Sequence, residues 1–69
     1  MIKYKIYTEV YNAKHGSILQ VHCECESLQE LNIVISTLKN NGYIGELKVT
    51  KEVVEELYFG YLEDFKLDK

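Results

Sequence analysis

The sequence has no arginine, tryptophan or proline, and all eight of its basic residues are lysine. Arginine presents the planar fork that grips a phosphate or a guanine edge at two points at once, so its absence removes the side chain best suited to nucleic acid. A formal net charge of −3 at pH 7 adds to that handicap, because phosphate binding depends on neutralising cations. No apolar run approaches the roughly 18 residues of a membrane span. The start, MIKYKIYTEVY, carries polar residues at every second or third place, unlike a secretory leader. A soluble, cytoplasmic protein with no membrane partner is expected. There is no glycine-rich phosphate loop or nucleotide fingerprint. Cys23 and Cys25 are the only two cysteines. Two apart on a strand, their Cβ atoms would lie roughly 7 Å from each other, too far for the roughly 3.8 Å of a disulfide. Reduced thiols are expected, as in a cytoplasmic setting.

What the chain does contain is enough for one small domain, residues 1–69, of which 46% are hydrophobic. That length is near the lower limit for folding without metal or disulfide support. Lysine, asparagine, isoleucine and tyrosine are frequent, a composition associated with AT-rich coding in low-GC bacteria and their phages. Charge is uneven: residues 1–15 carry Lys3, Lys5 and Lys14 against Glu9, whereas residues 52–68 carry six acids against Lys66.

Ile2, Tyr4, Ile6, Thr8 and Val10 alternate with Lys3, Lys5, Tyr7, Glu9 and Tyr11, the period of a half-buried strand. Residues 12–17, NAKHGS, read as a turn. Residues 17–26 alternate again, with Leu19, Val21, Cys23 and Cys25 on one face and Ile18, Gln20, His22 and Glu24 on the other, which predicts an antiparallel hairpin. Ser27 with Glu30 forms a capping-box pattern for a helix. Its buried stripe is Leu28, Leu31, Val34, Ile35 and Leu38, it ends at Asn40, Asn41 and Gly42, and Ile33 faces outward. Residues 43–50, YIGELKVT, predict a third strand with Leu47 and Val49 inward, Glu46 and Lys48 outward, and a bulge or bend at Gly45.

The stretch from Lys51 to Lys66 fits a second, amphipathic helix. Val54, Leu57, Tyr58, Tyr61, Leu62 and Phe65 fall on one stripe, with Thr50 as cap and Glu52 in the first turn. At about 100° per residue, Glu52, Glu56 and Glu63 lie opposite with Glu55 on the flank, and Phe59 falls among them. An aromatic ring surrounded by carboxylates on a wet helix face marks a contact surface. The fold expected is α+β, a two-layer ββαβα arrangement with a three-stranded sheet in the order 2-1-3 and two helices on one face. The open face would then display Lys3, Lys5, Tyr7, Tyr11, Gln20, His22, Glu24, Glu46 and Lys48.

The HCEC run at residues 22–25 draws attention as a metal motif, but strand alternation sends His22 away from Cys23 and Cys25, and a zinc site needs about four converging ligands. Buried thiols without metal or cofactor are expected. Nucleophilic catalysis would need a base on the thiol face, and the carboxylates of an exposed helix read as a solvated face. A non-enzymatic protein-binding module is expected, presenting Glu52, Glu55, Glu56, Phe59 and Glu63 to a basic protein surface. By analogy of size and charge alone, small acidic phage inhibitors such as anti-CRISPR proteins act in this way. Two alternatives use the open sheet face, whose surface includes Tyr7, Tyr11 and His22: a homodimer or other homo-oligomer, and a weak RNA or single-strand binder using Tyr7, Tyr11, Lys3 and Lys5.

Overall fold

The computed structural model describes residues 2–52 and 55–65. Strands β1 (Tyr4–Asn12) and β2 (Gly16–Cys25) are followed by helix α1 (Leu28–Asn40), strands β3 (Glu46–Lys51) and β4 (Glu55–Tyr61), and a short 3-10 turn at Leu62–Asp64. The α+β class expected from the sequence is present, with an antiparallel sheet in the order β2-β1-β3-β4. The first three strands take the order 2-1-3. The architecture is nevertheless ββαββ, with four strands and one helix instead of three strands and two helices.

Local chemistry accounts for the first half of the chain. Asn12 Oδ1 accepts from the backbone N–H groups of Lys14 (2.8 Å) and His15 (3.1 Å), and Gly16 takes a φ of 77°, so the hairpin turns where the sequence indicated. Ser27 Oγ accepts from Glu30 N (3.1 Å), while Glu30 Oε1 accepts from Glu26 N (2.8 Å) and secures the residue ahead of the cap. The helix ends in a Schellman motif: Tyr43 N donates to Leu38 O (3.0 Å), Gly42 N to Lys39 O (3.1 Å), and Gly42 has a φ of 84°.

α1 lays Leu31, Ile35 and Leu38 on one face of the sheet, against Tyr4, Ile6, Cys25, Leu47 and Val49, with Leu62 and Phe65 closing the cluster. Leu28, expected in the buried stripe, is exposed, as are Ile2 ahead of β1 and Val10 near its end. Ile33 is exposed as expected.

The segment read as a second helix is instead β4 and the turn after it. Of the predicted buried stripe, Leu62 and Phe65 are buried, Tyr58 is half-buried, and Leu57 and Tyr61 are exposed. Val54 and Lys66 lie outside the described residues. Two forces reverse the helical reading. Tyr58, Phe59 and Tyr61 favour a pleated, half-buried surface, and β4 satisfies the free edge of β3, whereas an isolated helix would carry Gly60 at a cost of about 1 kcal/mol. In the strand Gly60 has a use: a Cβ there would sit 2.8 Å from the Tyr58 hydroxyl, which crosses it to donate to Tyr61 O at 2.6 Å. The Tyr58 ring meets Phe65 edge to face with centroids 4.9 Å apart.

Beyond the β1/β3 pair Thr8↔Leu47, side chains extend the ladder. The Tyr43 hydroxyl accepts from Glu9 N (2.6 Å) and donates to the Glu46 carbonyl, and Glu9 Oε1 accepts from Glu46 N (3.2 Å). Gly45 forms a bend ahead of β3, not a bulge, and it permits this clasp, since a Cβ would come within 2.6 Å of Glu9 Oε1 and 2.8 Å of the Tyr43 hydroxyl.

Tyr43→Phe removes a partner from two half-buried backbone groups and is expected to cost about 1–3 kcal/mol in urea denaturation. Burial, first of all, raises the Tyr43 phenol above its ordinary 10.0; the Glu9 N–H pulls the other way, and the charges of Glu9 and Glu46 add to the rise. Its contribution is therefore complete below pH 10.0 and is lost as pH climbs through the higher folded value. The Phe variant should lack that alkaline loss. Glu52, expected in a first helical turn, is a left-handed residue (φ 53°) whose N–H donates to Lys3 O at 2.7 Å. Glu52→Gly keeps that bond and removes the strain, and a gain on the order of 1 kcal/mol is expected in the same titration.

Candidate interaction surface

The helix covers one face of the sheet, and the register defines what the other displays. Residues paired across strands share a face. Lys5 pairs with Glu24 on β2 and Thr50 on β3, and Thr50 pairs with Glu56 on β4, giving a row Glu24, Lys5, Thr50, Glu56. The next row is Val21, Tyr7, Lys48, Phe59. The third joins Leu19 and Glu9 to Glu46 and Tyr61 through the bond from Glu46 N to Glu9.

Two bulges set this pattern, and both lie in edge strands. β2 gains a residue at His22, between the pairs Ile6↔Cys23 and Tyr7↔Val21. An extra residue shifts the alternation, so Val21 and Leu19, expected inward, join the open face, and Gln20 leaves it. β4 gains one at Leu57, between Val49↔Tyr58 and Thr50↔Glu56. Phe59 and Tyr61 consequently stand together on the open face, each 54% exposed, with Val21 43% exposed across the sheet.

The residues expected to form one acidic arc are thereby separated. Glu56 is on the open face, Glu55 pairs with Lys51 at the end of β4, Glu52 is in the turn, and Glu63 is in the 3-10 turn. Phe59 is wet but has Lys48 opposite it instead of a ring of carboxylates. Tyr7 lies in the central row with Lys48 Nζ 5.5 Å above its ring. Tyr11 is exposed near the hairpin tip, and His22 is the exposed bulge residue. Sequence reasoning missed Leu19, Val21 and Tyr61 as open-face apolar residues. For Tyr61 the alternation of Leu57, Phe59 and Tyr61 was an available signal; for the other two, nothing marked the bulge.

The face is electrostatically mixed. Lys3 and Lys5 each approach a Glu24 carboxylate oxygen at 3.8 Å, exposed pairs that contribute little to stability. Thr50 Oγ1 lies buried within the Lys5 row with no hydrogen-bond partner among the described residues.

Cys23 and Cys25 are free and point to the core side, where Cys25 is buried and donates weakly to Ser27 O at 3.7 Å. Burial raises both thiols above their ordinary 9.0, and at Cys25 the nearby Cys23 adds to the rise. Among the described residues no group of three or more His, Cys, Asp or Glu side chains is placed to hold a metal ion, and no helix is long and apolar enough to cross a membrane. No family model, curated protein or solved structure matches the chain.

Thiolate is the reactive form, and burial disfavours it at both thiols, Cys25 being covered and Cys23 half-buried. Labelling of the native protein by a disulfide reagent at pH 8 should be many-fold slower than in urea. Prompt native labelling of Cys25 would contradict its burial.

Proposed function

We propose that this chain is a non-enzymatic protein-binding module that works through the open face of its sheet. The observation that carries the reading is the grouping of Phe59, Tyr61, Val21 and Tyr7 on a face that no described element covers. Aromatic residues with a charged surround are the composition of a protein contact surface. Presenting an acidic helix to a basic partner is not part of this reading, because residues 55–61 are a strand.

The open face also favours protein over nucleic acid. Glu9, Glu24, Glu46 and Glu56 share it with Lys5 and Lys48, and the Lys48 ammonium already lies over the Tyr7 ring that a base would need to stack on. The strand edges are less suited to pairing, since each edge strand carries a bulge that bends it away from straight addition.

Tagged protein expressed in its native cell should co-purify with protein, untagged copies of itself included, after nuclease treatment. The Phe59→Ala, Tyr61→Ala double variant should lose that partner, while Ile33→Ala on the exposed side of α1 should keep it. Loss of the complex on nuclease treatment, or indifference to the face variants with the fold intact, would overturn the proposal.

A further inference from the structure

We infer that the partner taken by the open face is a second copy of this chain, related by a two-fold axis that lies between the faces and runs perpendicular to the strands. The inference rests on the open face being the working surface and names its occupant.

The argument is one of rows. Such an axis lays the middle row on itself and the Lys5 row of one copy on the Glu9 row of the other. Lys5 then comes opposite the second copy's Glu9, and by symmetry this ion pair forms twice. Glu24 and Glu56 meet Leu19 and Tyr61, so no carboxylate opposes another. In the shared row Phe59 meets Phe59, Val21 meets Val21 and Tyr7 meets Tyr7, and Lys48 meets Lys48, the one like-charge opposition of this arrangement, with each ammonium also over a Tyr7 ring. Thr50 comes opposite Glu46. The other face-to-face two-fold, parallel to the strands, is disfavoured by the same register. It sets Glu24 against Glu56 and Glu9 against Glu46, four like-charge oppositions per dimer.

Size permits the pairing. The Cα positions span 36 × 26 × 16 Å, which caps any one side at about 900 Å² and leaves room for the roughly 800 Å² per partner of a standard interface. Face-to-face stacking of sheets at about 10 Å would give the apolar row the second layer that the single chain lacks.

Sedimentation of the full chain from about 1 μM to about 1 mM tests the idea across the range of ordinary affinities. A reversible monomer–dimer equilibrium is expected. Phe59→Lys, which removes the aromatic pair and adds a second cation-on-cation opposition beside that of Lys48, should weaken it at least roughly tenfold. Lys5→Glu and Glu9→Lys should each weaken self-association, and an equimolar mixture of the two should restore a heterodimer, because one ion pair then keeps its native sense and the other is rebuilt with reversed sign. Should Glu9→Lys disturb the clasp at Tyr43, as circular dichroism would show, Phe59→Lys carries the test alone. A wild-type chain that stays monomeric throughout overturns the inference, as does dimerisation indifferent to Phe59→Lys. If the monomer still captures a different protein through Phe59 and Tyr61, only self-pairing falls; if face variants change neither assay, the open-face reading falls with it.

Discussion

A single helix can dry only one side of a four-stranded sheet, and that constraint organises everything else in this protein. Leu31, Ile35 and Leu38 of α1 meet Ile6, Leu47 and Val49, and the cluster is sealed at its end by Leu62 and Phe65. Nothing else among the described residues is available as a third layer. Apolar side chains that alternation sends to the far side therefore remain in contact with water. A sheet protein of this size either makes that side polar or uses it. Here the central row is neither fully polar nor buried.

Much of the fold was legible where one local signal and one periodicity agreed. β1 alternates cleanly, Ser27 and Glu30 announce the helix, and Asn41 with Gly42 ends it. Leu47 and Val49 face inward as their spacing implies. The C-terminal stretch was misread because its apolar residues satisfy two periods at once. Tyr58 and Leu62 are four apart, as on a helix, but with Gly60 between them they also fall on one side of an extended chain. A partner decided the matter: β3 had an unpaired edge, and backbone groups must be satisfied. That decision belongs to tertiary structure, which periodicity does not see.

The candidate surface was harder to read than the fold. Phe59 was placed in solvent for a helical reason and is in solvent for a strand reason, so its environment changed although its exposure did not. Tyr7 was expected on the open face and lies there, partly sheltered by Lys48. Leu19 and Val21 switched sides because one added residue at His22 shifts the register beyond it. Such an insertion leaves no trace in composition. A bulge is legible only when the strand across from it is known.

β1 lies in the middle of the sheet yet is the first strand made, paired on one side with its immediate successor and on the other with β3. As the chain leaves the ribosome, the hairpin can close early, but the inner flank of β1 must wait for a strand that follows the entire helix. Non-local pairing of this kind slows folding relative to local hairpin closure. Until β3 arrives, Tyr4, Ile6 and Thr8 have a neighbouring strand on one side only, and the nascent hairpin is a two-stranded ribbon of marginal stability. The clasp of Tyr43 and Glu9 then serves as a latch on a late event, joining the first strand to the loop that delivers its last partner.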